Sequence, residues 1–263
     1  LSLIFVTLCL SPLLKADPAP PPVEITFAFQ DSDNFPYQLG DSAEIAANKP
    51  GVAVEMMKAI TKKLNLKLNL IRLPWKRGLV TLESGEIDGL FNASYKVSRL
   101  KYGAYPMTDG EVDPSMRSYT NSYSLFKSKT STLSWDGNNF EKNRLPVYAP
   151  RGFSIVEHLK NRGLNIVETS NIVQSLMTVN RGRSDGIALL TPSGEAYLRN
   201  TPKKFLNIEK IGPPLTTKNY YLMLSHTFVQ QQPELAKALW ASIAEFRDSA
   251  MFKQVMEEYY NKR

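Results

Sequence analysis

Residues 85–99 read GEIDGLFNASYKVSR, and this stretch decides the fold. A helical pattern ends at Gly85, because glycine commonly terminates helices. The apolar run that follows predicts a short buried strand over residues 87–93, and small polar side chains come after it. Arg99 lies just beyond that polar turn. This order indicates an anion-binding arginine at the carboxyl end of a strand in an α/β sheet.

The segments before this stretch alternate between strand and helix patterns. Apolar residues at helical spacing predict a helix over residues 51–64, and alternation predicts a strand over residues 66–73. A short helix is predicted over residues 76–84 and a first strand over residues 23–29. This β-α-β-α-β run is typical of a parallel sheet covered by helices.

The same alternation returns further along the chain. Strands are predicted over residues 145–149, 165–169 and 186–190, and helices over residues 154–162, 172–181, 193–200, 233–246 and 250–260. Residues 117–127 and 219–225 alternate as strands do and are predicted to cross between the two units. The predicted fold class is therefore α/β with two lobes, each a mainly parallel sheet with flanking helices, joined by two hinge crossings. Lobe 1 comprises residues 23–118 with 222–263, and lobe 2 comprises residues 119–221.

The N-terminal residues predict export. Residues 1–14 (LSLIFVTLCLSPLL) are too few to span a bilayer and have the length of the apolar part of a signal peptide. We expect residues 1–16 to be a signal peptide with a truncated start, and residues 17–22 to be a proline-rich spacer. The expected location is the periplasm. Cys9, the only cysteine, lies in the signal, so the mature chain has no thiol or disulfide, and lipidation of Cys9 stays open.

Composition and motifs exclude several function classes. The net charge of +7 is scattered along the chain, which argues against nucleic acid as a partner. The sequence has no phosphate-binding loop, no Gly-x-Ser-x-Gly and no His-Glu-x-x-His, and its 2 histidines are far apart. We therefore expect no metal, no cofactor and no catalysis, and a monomer.

Residues that follow the predicted strands are candidates for a ligand site, since open α/β sheets bind ligands at the carboxyl ends of their strands. Arg99 and the helix start at Ser154 suit a carboxylate, and Trp75 offers an apolar wall. Taken singly, Ser154 also fits a helix cap, Arg99 a solvated surface residue and Trp75 a core residue. The candidates are Asp31, Asn34, Trp75, Asn92, Ser94, Arg99, Gly152, Phe153, Ser154, Leu190 and Thr191.

The chain resembles the periplasmic solute-binding proteins of family 3, the polar-amino-acid receptors of ABC importers. The matching stretches are GVAVEMMKAI (51–60), PW (74–75), LESGEID (82–88), SYKVSR (94–99), PRGFS (150–154) and NRGRSDG (180–186), and the similarity covers nearly all of the chain after residue 23. The resemblance implies a two-lobed clamshell of type II that closes on a small carboxylate-bearing solute, an amino acid or an analogue, and is read by a permease.

The same resemblance implies roles for individual residues. Arg99 would hold the ligand's carboxylate, helped by Ser94 and by Ser154 with its helix start. Trp75 and Asn34 would line the side-chain pocket, and Asn92 would offer a polar contact.

One position departs from the family pattern. Amino-acid receptors of this kind commonly carry an Asp where this chain has Leu190, followed by Thr191, and that Asp pairs with the ligand's ammonium. Asp31 or, less directly, Glu195 would replace it; otherwise the ligand is not an α-amino acid. Two other functions stay open: a sensing module for a membrane receptor, and a dehydratase-like enzyme for small acids that uses Asp31, Glu195 or Tyr37.

Overall fold

A computed structural model describes residues 22–261. The predicted signal peptide, Cys9 and all of the spacer but Pro22 lie outside the described residues. The strands are β1 (Glu24–Gln30), β2 (Lys67–Leu73), β3 (Gly89–Ser94), β4 (Met107–Thr108), β5 (Glu111–Val112), β6 (Tyr119–Ser128), β7 (Ser134–Trp135), β8 (Phe140–Glu141), β9 (Val147–Pro150), β10 (Ile166–Thr169), β11 (Gly186–Leu190) and β12 (Ile208–Leu224). The α-helices are α1 (Val52–Lys63), α2 (Trp75–Glu83), α3 (Ser154–Lys160), α4 (Ile172–Asn180), α5 (Thr191–Asn200), α6 (His226–Gln231), α7 (Pro233–Asp248) and α8 (Ala250–Asn261), and short 3-10 turns occupy Val97–Arg99 and Pro114–Met116.

Eight of these strands form one mixed sheet in the order β10-β9-β11-β6-β12-β3-β1-β2. The strands β1, β2 and β3 are mutually parallel, and we call them with α1 and α2 the first half. The strands β9, β10 and β11 are also parallel and form the second half with α3, α4 and α5. The mixed α/β fold is as predicted, but two separate sheets are not seen. The predicted lobe boundaries stay a prediction.

The two crossing strands explain why the sheet is continuous. β6 and β12 pair with each other in antiparallel register, β6 also pairs with β11, and β12 also pairs with β3. β12 is 17 residues long, well beyond the predicted 219–225, and its register with β6 breaks between Ile211 and Thr216. Gly212 lies at this break with φ 61°, and a Cβ there would come within 2.5 Å of the Trp135 carbonyl oxygen. The break therefore requires glycine.

A column of tyrosines lies along the central strands β6 and β12. The ring of Tyr37 stacks on that of Tyr119 at 3.5 Å, and Tyr119 stacks on Tyr220 at 5.1 Å. The Tyr220 hydroxyl donates to that of Tyr123 at 3.2 Å. Burial raises the pKa of all four hydroxyls, so they stay neutral. The column ties the loop after β1 to the crossing strands.

Apart from the first part of β12, the elements that the sequence patterns missed are short. Two-residue strands form the hairpins β4–β5 and β7–β8 in the segment between the two units, and the six-residue helix α6 follows β12. Elements of this length are too short to show a hydrophobic period. Within residues 22–261, none of the helices combines the length and the apolar character that crossing a membrane requires.

Candidate functional site

The carboxyl ends of the parallel strands from both halves meet around two adjoining cavities. We call the larger one, of about 380 Å³, the wide chamber. The smaller one, of about 20 Å³, is the narrow pocket, and it has room for roughly one water-sized group. The two cavities share part of their lining: Gln30, Asn34, Trp75, Phe153 and Leu190.

Arg99 is the cation of the narrow pocket. Its side chain is buried, and its Nη1 donates to the Ser94 carbonyl oxygen at 2.7 Å and to Ser94 Oγ at 2.9 Å. The guanidinium carbon lies 4.9 Å from the centre of the Trp75 ring, a cation–π contact. Nη2 reaches the second half and donates to the Gly152 carbonyl oxygen at 3.3 Å. Arg99 is therefore held in place by both halves and is not a surface residue.

Ser154 meets Ser94 across the same gap. Ser94 Oγ donates to Ser154 Oγ at 3.1 Å, and both side chains are buried. The cap position of α3 belongs to Phe153, so Ser154 is not the helix cap. The free N–H groups at the start of α3 lie beside these hydroxyls, and this arrangement favours an anion.

The loop that carries Gly152 has its own support. Gly152 has φ 75°, and a Cβ there would lie 3.2 Å from Lys76 Cε. Its N–H donates to Glu168 Oε2 at 2.9 Å, and this hydrogen bond holds the pKa of Glu168 below its ordinary value. The Glu168 carboxylate on β10 thus holds Gly152 in place, and with it the carbonyl oxygen that accepts the hydrogen bond from Arg99.

Asn92, at the end of β3, has a left-handed backbone with φ 62°. Its Nδ2 donates to Gln38 Oε1 at 2.5 Å, while Gln38 Nε2 donates to the carbonyl oxygens of Gln30 and Ser32, both at 2.8 Å. Asn92 Oδ1 and Trp75 Nε1 are buried, and neither has a hydrogen-bond partner within residues 22–261. Strained backbone and unpaired polar atoms of this kind collect at binding sites.

The wide chamber is mainly apolar with charged groups at its edges. Phe153, Ile172, Leu189 and Leu190 join Trp75 in its wall. The carboxylates of Asp31 and Asp33 and the cations of Lys76 and Arg151 also line it. Ser193, at the start of α5, closes one side by donating to Asn34 Oδ1 at 2.9 Å, so this contact also joins the two halves.

A fourth contact joins the halves outside both cavities. Lys96, after β3, forms an ion pair with Glu157 on α3, and that contact holds the pKa of Glu157 low. Lys218 on β12 lies close to this pair, and burial, with Arg99 and Lys96 nearby, lowers its pKa. Arg99 and Lys218 therefore place two cations near one another, while Glu157 balances the charge of Lys96.

The structure brings most of the predicted site residues together. Asp31, Asn34, Trp75, Asn92, Ser94, Arg99, Phe153, Ser154 and Leu190 line one or both cavities, and Gly152 contributes its carbonyl oxygen. Thr191 lines neither cavity. Its Oγ1 donates to the Ser122 carbonyl oxygen at 3.0 Å and lies 2.7 Å from Ser124 Oγ, so it fastens α5 to β6.

Of the three residues considered for an enzyme, only Asp31 lines a cavity. Tyr37 is stacked in the tyrosine column, and Glu195 is paired with Lys210, away from both cavities. Across the part of the chain that the structure describes, no cluster of His, Cys, Asp and Glu suits a metal ion.

Sequence reasoning missed Gln38 and Tyr197 among the residues that build the cavities. Gln38 acts through a partner that is distant in sequence. Tyr197 lines the wide chamber from α5, and burial, with Asp33 and Asp41 nearby, raises its pKa to about 12. The only sequence signal for Tyr197 is the apolar spacing of its helix, and the same spacing also fits a residue of the core.

Comparison with known proteins gives a consistent picture. The family model described as bacterial extracellular solute-binding proteins, family 3, matches residues 28–262. A search of curated protein sequences gives no significant match.

Solved structures share the fold at low sequence identity. An amino acid ABC transporter substrate-binding protein from Streptococcus pneumoniae, bound to L-arginine, is 18% identical with a TM-score of 0.69, over 90% of this chain and 94% of that one. The GluR0 ligand-binding core from Nostoc punctiforme, in complex with L-glutamate, is 12% identical with a TM-score of 0.70, and the match covers 90% of this chain and 99% of that one. A histidine kinase sensor domain with similarity to periplasmic binding proteins is 19% identical with a TM-score of 0.69, and the match covers 91% of this chain and 96% of that one.

Proposed function

Because the chain belongs to the bacterial extracellular solute-binding proteins of family 3, a non-catalytic family, we propose that it captures a small carboxylate-bearing solute between the two halves of its sheet. The ligand is an amino acid or an analogue. The site comprises Asp31, Asn34, Trp75, Asn92, Ser94, Arg99, Gly152, Phe153, Ser154 and Leu190.

The observation that carries this proposal is the position of Arg99. Its guanidinium is buried between the halves, beside two serine hydroxyls and a helix start, and it touches both halves. A carboxylate that entered here would accept hydrogen bonds from Arg99, Ser94 and Ser154 in place of the hydrogen bonds that these groups now make to each other. The solute's body would then lie in the wide chamber against Trp75 and Phe153.

Binding and closure are coupled in this proposal. The narrow pocket is too small to admit a carboxylate unless the contacts Ser94–Ser154 and Arg99–Gly152 separate. Separation by a hinge at the crossing strands would let the solute enter, and the new hydrogen bonds would draw the halves together again. The closed form is what a membrane permease of an ABC importer would recognise, with the protein exported to the periplasm and acting as a monomer.

A second candidate function has an observation of its own. The similarity to a histidine kinase sensor domain has the same TM-score as the similarity to the transporter receptor. The same closure would then be reported to a sensor kinase. A pull-down from membranes that tests a permease and a sensor kinase separately would distinguish the two partners.

The first experiment is a thermal-shift screen of residues 17–263 against the amino acids and a panel of small organic acids. A ligand at a hundredfold excess over its Kd adds about 2.7 kcal/mol to the free energy of unfolding, which raises Tm measurably. A panel in which no acid raises Tm would refute the proposed carboxylate site.

The second experiment tests Arg99 directly by titration calorimetry. Arg99→Ala removes charged hydrogen bonds worth about 1.5–3 kcal/mol each, so we expect the affinity for the ligand from the screen to fall at least about tenfold. The matched control is Arg162→Ala, since Arg162 also lies over a tryptophan, Trp135, at 5.3 Å but outside both cavities. Equal affinities of the Arg99→Ala variant and the unchanged protein would refute the role of Arg99.

A further inference from the structure

We propose that the donor group next to the ligand's carboxylate is uncharged, as in a 2-hydroxy acid, and that Asn92 Oδ1 accepts its hydrogen bond. This inference rests on the proposed function and specifies the ligand class of the same site. It follows from the fixed orientation of one amide and from the groups that surround it.

Gln38 sets the orientation of the Asn92 amide. Gln38 is 1% exposed, and its Nε2 faces the carbonyl oxygens of Gln30 and Ser32, which can only accept hydrogen bonds. The other end of the Gln38 amide must then be its oxygen, and the Asn92 atom that meets this oxygen must be Nδ2. Asn92 Oδ1 is left as the buried, unpartnered acceptor.

Asn92 is placed to reach the atom beside the carboxylate. It lines the narrow pocket together with Arg99, Ser94 and Ser154. Because Asn92 and Arg99 line the same small pocket, a group bound by Asn92 lies close to a carboxylate bound by Arg99. Asn92 Oδ1 can therefore accept a hydrogen bond from a donor on the carbon next to the ligand's carboxylate.

The surroundings of this acceptor disfavour an ammonium. Among the described residues, no carboxylate lines the narrow pocket, and its far wall is Leu190, which is 4% exposed. Asp31 and Asp33 line the wide chamber only. Arg99 and Lys218 add positive charge nearby, while the charge of Lys96 is balanced by Glu157. A buried ammonium without a counter-charge is costly, whereas a hydroxyl needs only the one acceptor that Asn92 provides.

Matched pairs of ligands test the inference, with the whole mature chain as the protein. Each pair has the same body and differs in one group: leucine against 2-hydroxy-4-methylpentanoate, phenylalanine against 3-phenyllactate, and glutamate against 2-hydroxyglutarate. We expect the hydroxy member of the best-binding pair to bind at least about tenfold more tightly in calorimetry. Equal or tighter binding of the amino member would overturn the inference and leave the proposed function standing.

Two variants separate the roles of the residues involved. Asn92→Gly keeps the left-handed backbone and removes the acceptor, so hydroxy-acid affinity should fall about tenfold. Leu190→Asp adds a carboxylate to the far wall and should raise the affinity for the amino member at least about tenfold. If the Leu190→Asp variant fails to fold, the Asn92→Gly variant is the test. An unchanged affinity of the Asn92→Gly variant for the hydroxy acid overturns the inference. If no acid of the full thermal-shift panel raises Tm, the proposed carboxylate site fails and this inference fails with it.

Discussion

The hydrogen bond between Ser193 and Asn34 offers a test of closure that leaves Arg99 untouched. Ser193→Ala removes the donor from a contact between residues that are 6% and 8% exposed. A net hydrogen bond contributes about 1 kcal/mol, and a buried acceptor left unpaired costs about 1–3 kcal/mol. In an open form water satisfies Asn34 Oδ1, so the loss falls on the closed form alone. We expect closure to weaken by about 1–2 kcal/mol, a factor of roughly 5–30.

Two measurements check this prediction. Titration calorimetry should show that Kd for the ligand from the screen rises by up to the same factor, because only the closed form holds the solute. Small-angle X-ray scattering without ligand should give a larger radius of gyration for the Ser193→Ala variant than for the unchanged protein.

Ser124→Ala is the matched control. Ser124 is 2% exposed, and its Oγ lies 2.7 Å from Thr191 Oγ1, so this hydrogen bond joins α5 to β6 and does not span the two cavities. We expect the Ser124→Ala variant to unfold more easily and to keep its ligand affinity. If the two variants weaken binding equally, or if Ser193→Ala leaves both Kd and the radius of gyration unchanged, the closure argument is wrong.

Three further perturbations have expected outcomes. Gly194→Ala should lower the free energy of unfolding by about 1–3 kcal/mol in urea, since its Cβ would lie 2.2 Å from the buried Phe126 ring. Glu157→Gln should weaken ligand binding less than about fivefold and reduce the salt dependence of Kd, because solvent and salt screen the ion pair with Lys96 at the Glu157 side chain, which is 60% exposed. Glu168→Gln should destabilise the protein at neutral pH and have progressively less effect as the pH falls through the lowered pKa of Glu168, below its ordinary 4.5, as measured by urea midpoints.

For each of these three predictions, one result would contradict the reasoning. A Gly194→Ala variant as stable as the unchanged protein would mean that the Phe126 ring moves freely. Glu195→Gln, which removes an ion pair with Lys210 outside the cavities, is the control for Glu157→Gln, and equal effects on Kd would deny that Glu157 assists closure. A pH-independent effect of Glu168→Gln would show that the carboxylate form is not what supports the loop.

The sequence predicted those parts of the site that depend on one strand and the turn after it. Arg99, Ser94 and Ser154 were identified because parallel strands end at a common edge, and that rule needs no knowledge of side-chain contacts. Thr191 was chosen by the same rule, but it is the first residue of α5 and its hydroxyl bonds to β6. Leu190, the last residue of β11, lines both cavities, and Thr191 lines neither.

Contacts between distant segments were beyond the reach of pattern reasoning. Gln38 orients Asn92 because the loop after β1 folds back towards β3. The spacing of the two residues in the sequence gives no sign of that contact. The single mixed sheet was missed for a related reason. The alternation in residues 208–218 is interrupted by the Gly212–Pro213–Pro214 break, which hid the first part of β12.

The place of β12 in the sheet also has a consequence for how the chain acquires its shape. β12 lies between β6 and β3 but is the last of the eight strands to be synthesised, at residues 208–224 of 263. Until then, β6 and β3 each lack a neighbour on one side, and the pairings that remain join segments far apart in the chain. Such non-local pairing makes folding slow. In the proposed export, late completion would keep the chain unfolded while it passes through a translocation channel.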